Sequence, residues 1–329
     1  MADLRLTLAC VPTDRSRPII DGQINIPGVT LEVLPGEPED IFRRALREEA
    51  FDITEMSMSS HITMTARGNP AYIAVPVFLS RAFRHSGIFI RTDRGIRGPQ
   101  DLKGKRIGIP EYQQTAILWV RGMLRDFHGV AVRDVRWRTG GVLQPGLGER
   151  VALALPDGID VQPIGPDETL DGLLTAGALD ALISTRVPTA LANPDVPVER
   201  LYPDYRAAEA EYYRRTGFFP IMHCLALRRS LAEQHPELPR ALFEAFAKAR
   251  QQALAELAMI NAFRVTLPWP PMALADARAL MGDDFWPYGF RRNADELATM
   301  TRYAEEDGLT TRRVQPEELF HPSTLDLTA

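Results

Sequence analysis

The sequence lacks the features that mark several large classes of protein. No apolar run approaches the roughly 18 to 20 residues of a membrane-spanning helix, so we expect no integral membrane protein. There is no long basic tract, and the formal net charge of −5 does not fit a nucleic-acid-binding surface. The only two cysteines, Cys10 and Cys224, are far apart, which supports neither a disulfide framework nor a cysteine metal site.

The beginning of the chain has the pattern of a strand rather than of a signal peptide. Residues 1–10 end in Leu-Ala-Cys, as a lipoprotein signal does, but Asp3 and Arg5 interrupt the apolar stretch of about 7 to 15 residues that such a signal needs. If Met1 is the native start, the expected location is the cytoplasm.

What is present is the composition of a packed protein. The chain has 329 residues, 45% of them apolar and 25% charged, and chains of this size usually form two compact units. Short apolar runs alternate with amphipathic segments, which predicts an α/β fold with mostly parallel sheets and ligands beyond the carboxyl ends of strands. The predicted strands are Leu4–Ala9, Val29–Leu34, Tyr72–Phe78, Gly87–Ile90, Arg106–Ile109, Val132–Trp137, Ile159–Ile164 and Leu179–Ile183. The clearest predicted helices are Pro38–Glu49, Gln114–Phe127, Glu168–Ala176, Leu231–Ala262, Leu274–Met281 and Ala294–Glu306.

The segment Gly104–Ala116 predicts a strand followed by a polar loop and a helix. Pro110 ends the apolar run, and Thr115 can cap the apolar-periodic segment that follows. Free N–H groups at such a helix start suit a carboxylate or a phosphate. The alternative is that Gly108 and Pro110 only punctuate a strand.

A second cluster, Ser80–Ser86, follows the apolar strand that ends at Phe78. Arg81 and Arg84 present planar guanidinium groups that match the carboxylates of a small dianion. His85 can exchange a proton near neutral pH. The alternatives are a solvated basic turn for the arginines and a structural role for the histidine.

A third cluster, Asp52–Ser60, places an acid and several hydroxyls after a short strand signal. Ser57, Ser59 and Ser60 could hydrogen-bond the oxygens of a ligand, and Glu55 could act as a base if burial raises its pKa. The alternative is that the serines cap a helix.

A fourth cluster, Tyr212–His223, combines aromatic residues, arginines and a histidine. The rings could stack on an aromatic ligand, although Phe218 and Phe219 fit a core position equally well. The histidines never fall in a metal-binding spacing such as His-Glu-x-x-His, so we assign no metal.

Together these segments resemble the 4,5-dihydroxyphthalate decarboxylase family, which is related to NMT1/THI5-like and sulfonate-type solute-binding proteins. The resemblance covers nearly the whole chain and is carried by the segments 51–60, 76–86, 104–116 and 212–223. It implies a two-lobed α/β fold of the type II periplasmic-binding-protein kind, with a ligand cleft between the lobes. The expected lobes are residues 1–91 with 200–329, and residues 92–199. Cys10–Arg15 and Gln114 depart from the family pattern, which leaves the exact aromatic acid open.

The resemblance also implies a function: cofactor-independent decarboxylation of a hydroxylated aromatic dicarboxylate, with 4,5-dihydroxyphthalate giving protocatechuate and CO2 during phthalate degradation. The expected partner is therefore a small aromatic carboxylate, with no nucleic acid and no membrane, and a homo-oligomer is left open. The candidate catalytic residues are His85, His223, Glu55 and Glu111. The candidate substrate-binding residues are Arg81, Arg84, Ser57, Ser59, Ser60, Tyr112, Gln113, Thr115, Arg186 and Phe219.

Two other functions remain open at this point. A non-enzymatic solute-binding protein for an aromatic or dicarboxylic acid would use the same arginines, and the fold cannot separate it from an enzyme. The absence of an export signal favours the enzyme. A cytoplasmic sensor, or a relative that makes a metabolite from its own residues, has less support because no cysteine-rich iron motif occurs.

Overall fold

The computed structural model describes residues 4–68, 70–146 and 148–329, and these divide into two compact units. The first unit comprises Met1–Ala82, Tyr213–Ala298 and Val314–Ala329, and the second comprises Phe83–Tyr212 and Thr299–Arg313. Within these ranges no helix is long and apolar enough to cross a membrane.

The first unit is built on a five-stranded mixed sheet. Its strands are β1 (Leu4–Ala9), β2 (Val29–Val33), β3 (Ile53–Ser57), β4 (Tyr72–Arg81) and β11 (Ile221–Arg228), in the order β2-β1-β3-β11-β4. β1 runs parallel to β2 and β3, whereas β11 is antiparallel to β3 and β4. All five residues of β3 are buried, as expected for a strand in the middle of a covered sheet.

The second unit contains a six-stranded mixed sheet. Its strands are β5 (Ile88–Arg91), β6 (Arg106–Ile109), β7 (Arg136–Thr139), β8 (Asp160–Pro163), β9 (Ala181–Ile183) and β10 (Val198–Arg200), in the order β10-β5-β9-β6-β7-β8. The pairs β6-β9, β6-β7 and β7-β8 are parallel, and β5 is antiparallel to both of its neighbours.

Ten helices complete the described structure. They are α1 (Arg17–Ile20), α2 (Pro38–Glu48), α3 (Met58–Ala66), α4 (Thr115–His128), α5 (Leu170–Thr175), α6 (Tyr205–Thr216), α7 (Arg229–Gln234), α8 (Leu238–Leu257), α9 (Pro270–Met281) and α10 (Ala294–Glu306).

The local sequence determines where several of these helices begin or end. Pro38 occupies the first turn of α2, followed by Glu39 and Asp40, which complement the positive end of the helix dipole. Gly129 ends α4 with a left-handed φ of 65°, which glycine adopts without strain.

The structure departs from the sequence expectations in three places. Nearly half of the strand pairings are antiparallel rather than parallel, because β11 and β5 enter their sheets from distant parts of the chain. The predicted helix Leu231–Ala262 is two helices, with a break at residues 235–237. The chain passes between units at residues 82–83 and 212–213, rather than near 91 and 200, because β5 and β10 pair with each other in the second sheet, and it passes twice more, at residues 298–299 and 313–314.

Candidate functional site

A histidine and a glutamate meet in the middle of the first sheet. Glu55 lies in β3, and the antiparallel register of β11 places His223 opposite Ser57 at the carboxyl end of that strand. The Nδ1 atom of His223 lies 2.7 Å from Oε1 of Glu55. The other carboxylate oxygen of Glu55 accepts a hydrogen bond of 2.9 Å from the backbone N–H of Val11. Each oxygen of the Glu55 carboxylate therefore has a hydrogen-bond partner, and Oε1 orients the imidazole of His223.

The residues around Glu55 and His223 leave one side of the imidazole accessible. The Glu55 side chain is 3% exposed and that of His223 is 17% exposed. Phe42 packs edge-on against the imidazole, with ring centroids 4.7 Å apart. Among the described residues, Nε2 of His223 has no hydrogen-bond partner, so this nitrogen can face a ligand. Burial raises the pKa of the Cys10 and Cys224 thiols, and both stay protonated.

Three hydroxyls cluster beside His223 at the start of α3. Ser57 is the residue before the helix, yet its side chain does not cap it. Instead its Oγ lies 3.3 Å from that of Ser60 and 3.5 Å from that of Ser59, and all three residues are buried. The structure thus brings four predicted residues of this strand–helix junction together with His223.

Arg81 is placed differently from the ligand-binding role predicted for it. Its guanidinium donates to Glu296 at 3.0 Å, to the amide oxygen of Asn293 and to the carbonyl oxygens of Phe219 and Pro287. The side chain is 1% exposed. Because both terminal nitrogens are fully engaged with the protein, Arg81 joins the loops around α10 instead of presenting a free charge.

Arg84, which is half-buried, and His85, which is buried, lie in the second unit, and each has one buried nitrogen without a hydrogen-bond partner in the described chain. The buried Nε atom of Arg84 has no acceptor, and no carboxylate lies within ion-pair distance of it in the described chain. Burial lowers the pKa of Arg84 to about 10 despite the charge of Glu209. Burial and the neighbouring His128 lower the pKa of His85 to about 4, so its imidazole is neutral at pH 7.

Two tyrosines pack against His85, and the sequence analysis did not single out one of them, Tyr202. The His85 ring lies 5.1 Å from that of Tyr202 and 5.4 Å from that of Tyr212. The Tyr202 hydroxyl in turn lies 3.2 Å from Nε2 of His128. Tyr202 follows β10, which pairs with β5. Only this long-range pairing brings it to His85, so no local signal could have identified it.

Two carboxylates of the protein, those of Glu149 and Glu111, form hydrogen bonds and an ion pair at the loop before α4. The N–H groups of Tyr112 and Gln113 point to the carboxylate of Glu149, at 2.5 and 3.4 Å. Burial raises the pKa of Glu149 to about 7. Glu111 forms a bidentate ion pair with Arg150, at 2.8 and 2.9 Å. Glu149 thus occupies two N–H groups of the loop that precedes α4.

The remaining predicted residues of this loop are internal. The side chains of Tyr112, Gln113 and Thr115 are buried, and the Tyr112 hydroxyl donates to the carbonyl oxygen of Asp307. The structure gives Tyr112 a packing role, since its hydroxyl is already engaged.

Phe219 and Arg186 lie apart from the histidine–glutamate pair. Phe219 and Arg81 line a cavity of about 320 Å³ in the first unit, where Phe219 packs edge-on against Trp286. The guanidinium carbon of Arg15 lies over the Trp286 ring, 3.9 Å from its centroid. Arg186 is exposed on the second unit.

Sequence comparison finds full-length similarity to a decarboxylase. The chain is 46% identical over 326 residues to the 4,5-dihydroxyphthalate decarboxylase of Comamonas testosteroni, and the match covers 99% of both chains. It is 45% identical over 224 residues to the Pseudomonas putida protein of the same name, covering 68% of this chain and 87% of that one. Residues 27–142 match the family model described as NMT1/THI5 like.

Two solved structures with the same fold are sulfonate-binding proteins. The periplasmic sulfonate-binding protein SsuA of Methylobacillus flagellatus aligns with a TM-score of 0.56 at 14% identity, covering 98% of this chain and 93% of that one. The periplasmic aliphatic sulphonate binding protein SsuA of Escherichia coli aligns with a TM-score of 0.52 at 14% identity, covering 99% and 100%. At this identity the likeness establishes a periplasmic-binding-protein fold.

Proposed function

Because the chain belongs to the 4,5-dihydroxyphthalate decarboxylase family, we propose that it is a carboxy-lyase that converts 4,5-dihydroxyphthalate to protocatechuate and CO2. The observation that carries the proposal is 46% identity over 99% of the chain to a relative of that name. The pair formed by His223 and Glu55 supplies an acid–base group of the kind that this reaction requires.

The chemistry of the substrate sets what the protein must provide. A hydroxyl para to a carboxylate donates electron density to the ring carbon that bears this carboxylate. Protonation of that carbon, followed by cleavage of the bond to the carboxylate, releases CO2 and leaves the bonding electron pair with the ring. The product has one hydrogen where the substrate had a carboxylate, so one proton is consumed. We propose that no cofactor takes part, because the ring itself accepts and returns the electrons.

His223 is the best-placed proton donor in the described chain. Its Nε2 has no hydrogen-bond partner among the described residues, and Glu55 contacts Nδ1 and thereby orients the ring. His85 is less suited, since its low pKa leaves almost no imidazolium at neutral pH. Glu111 is held by Arg150, which leaves Glu55 as the carboxylate associated with proton transfer.

The hydroxyl cluster beside His223 is suited to positioning. Ser57, Ser59 and Ser60 can donate to a substrate oxygen near the first turn of α3, where the helix dipole favours negative charge. A carboxylate or phenolate held there would lie next to the His223 imidazole. We assign these serines to substrate binding.

The direct test is to incubate the purified protein with 4,5-dihydroxyphthalate and measure CO2 and protocatechuate by chromatography. The wild-type protein should form both in equal amounts. His223→Asn should lower kcat by about 10² to 10⁴, as loss of a proton donor typically does. His235→Asn changes a partly exposed histidine on the same unit and serves as the matched control.

Two results would contradict the proposal at different levels. An unchanged kcat in His223→Asn would remove this histidine from the mechanism while leaving the reaction in place. A folded wild-type protein whose melting temperature rises with 4,5-dihydroxyphthalate, but which forms no product, would indicate binding without catalysis.

A further inference from the structure

A second cavity lies in the first unit, at the end of the sheet away from His223. It has a volume of about 450 Å³, which is within the range of small-molecule sites. Arg228, the last residue of β11, and Tyr72, the first residue of β4, are paired in register and both line it. Five residues of extended strand, about 17 Å, separate Arg228 from His223. None of Glu55, His223, Ser57, Ser59 and Ser60 lines this cavity, although Met56, which does line it, lies between Glu55 and Ser57 in β3.

About half of the wall of this cavity is apolar, and this part is adaptable. Leu46, Met56, Met64 and Ala71 contribute side chains to it. Methionine side chains are flexible and polarisable, so they can adjust to a ring or a branched chain. An apolar molecular body fits such a wall.

Most polar groups on the wall are already engaged. The Tyr72 hydroxyl donates to the carbonyl oxygen of Phe51, and Nε2 of His61 lies 2.8 Å from the carbonyl oxygen of Leu319. Arg228 donates to backbone carbonyl oxygens and lies 3.6 Å from a carboxylate oxygen of Asp52. These groups hold the unit together and have little capacity left for a ligand.

Arg229 is the cation on this wall that has no ion-pair partner in the described chain, and Glu49 and Glu233 line the cavity as well. Its Nε donates to the carbonyl oxygen of Pro70 at 3.2 Å, which fixes the guanidinium at the cavity. Within the described ranges, neither of its terminal nitrogens has a hydrogen-bond acceptor or an ion-pair partner, although Glu233 lines the same cavity. A positioned guanidinium with two free nitrogens matches the two oxygens of a carboxylate.

We propose that this cavity is a second binding site, for a small monoanionic organic acid with an aromatic or branched apolar body. The carboxylate pairs with the terminal nitrogens of Arg229, and the body packs against Leu46 and Met64. This site does not depend on the reaction proposed above, because none of the residues assigned to that reaction lines it.

The experiment is isothermal titration calorimetry with benzoate as the probe. We expect Arg229→Gln, which removes the charge, to weaken benzoate binding at this site at least about tenfold, since hydrogen bonds to charged groups are among the stronger ones. Leu46→Trp, which fills the cavity from another wall, should weaken it without changing any charge. Arg240→Gln alters an exposed arginine of the same unit that pairs with Glu244, and it should bind like the wild type.

The variants separate this proposal from its alternatives. Equal benzoate affinity in the wild type, Arg229→Gln and Leu46→Trp would place the benzoate elsewhere and overturn the proposal. An absence of binding at millimolar benzoate would overturn it as well. If Arg229→Gln does not fold, as judged by circular dichroism, Leu46→Trp decides the question alone. Decarboxylation assayed on the same samples reports separately on the function.

Discussion

Arg81 and Arg84 are three residues apart, yet the structure gives them opposite environments. Arg81 is surrounded by acceptors and forms an ion pair with Glu296. Arg84 is half-buried and has no ion-pair partner in the described chain, although the buried Nε of both arginines lacks an acceptor. A half-buried cation without an ion-pair partner is a candidate for a binding role.

We therefore predict that Arg84→Gln impairs substrate binding more than stability. The KM for 4,5-dihydroxyphthalate should rise by about tenfold or more, because a charged hydrogen bond to a carboxylate is lost. The melting temperature should change little, since the half-buried Arg84 side chain makes no hydrogen bond or ion pair in the described chain. Steady-state kinetics and thermal unfolding measure the two effects.

Arg97→Gln is the matched control, because Arg97 is an exposed arginine of the same unit. It should change neither quantity. A fall in melting temperature with an unchanged KM in Arg84→Gln would assign Arg84 a structural role.

A buried histidine should make the first unit sensitive to acid. Burial lowers the pKa of His61 to about 4 from an ordinary value near 6.5, with the charge of Arg229 acting in the same direction. The unfolded chain therefore takes up this proton first, so the stability due to neutral His61 is present above about pH 6.5 and is lost as the pH falls towards 4.

Comparison with His61→Gln tests this linkage. Between pH 7 and pH 5, the free energy of unfolding of the wild type should fall by about 2 kcal/mol more than that of the variant. Urea unfolding at the two pH values measures the difference. An equal fall in the free energy of unfolding of the wild type and of His61→Gln would show that His61 does not contribute to acid sensitivity.

At the scale of elements, the packing of α4 against α10 shows why a glycine occupies a helix interior. An added Cβ at Gly122 would lie 2.0 Å from the ring of Tyr303. The two helices approach closely only because residue 122 has no side chain. Tyr303 also packs edge-on against Trp119 of α4, with centroids 5.7 Å apart.

Gly122→Ala separates helix propensity from packing. Propensity alone predicts that alanine stabilises the helix by about 1 kcal/mol. The close approach to Tyr303 predicts the opposite, a net loss of about 1 to 3 kcal/mol from overpacking. Denaturant unfolding gives the sign, and a variant more stable than the wild type would contradict the packing described here.

At the scale of the whole molecule, the chain returns to the second unit near its end. Thr299–Arg313 belongs to that unit, and Asp307 joins it to α4. The Asp307 carboxylate accepts hydrogen bonds from Arg121 at 2.7 Å and from Arg125 at 2.9 Å. The Arg121 and Asp307 side chains are each 1% exposed, so the pair is fully buried.

Asp307→Ala should therefore destabilise the protein by about 3 to 5 kcal/mol, because it leaves the Arg121 charge buried without its partner. The neighbouring Glu306→Ala removes two partly exposed ion pairs, with Arg302 and with Arg125, and it should cost less than Asp307→Ala, at most about 1 to 2 kcal/mol. Urea unfolding of the two variants measures the contrast. Similar losses would contradict the role assigned to the buried pair.

Much of the local structure could be predicted from sequence. The predicted strands Leu4–Ala9 and Arg106–Ile109 and the predicted helix Ala294–Glu306 match β1, β6 and α10 residue for residue. Their apolar periodicity is local and strong. The short strand β10 carries no such signal, since its formation depends on pairing with β5.

The sequence alone determined the α/β class, the clusters of polar residues at strand ends and the resemblance to a decarboxylase family, because periodicity, turn residues and motifs are local properties of the chain. Only the tertiary structure decided which cluster members meet. The register of β11 against β3 pairs His223 with Glu55, and folding of the loop before α4 directs Glu149 to the N–H groups of Tyr112 and Gln113. Burial and distant partners distinguish Arg81 from Arg84, and they arise only when segments far apart in sequence pack together.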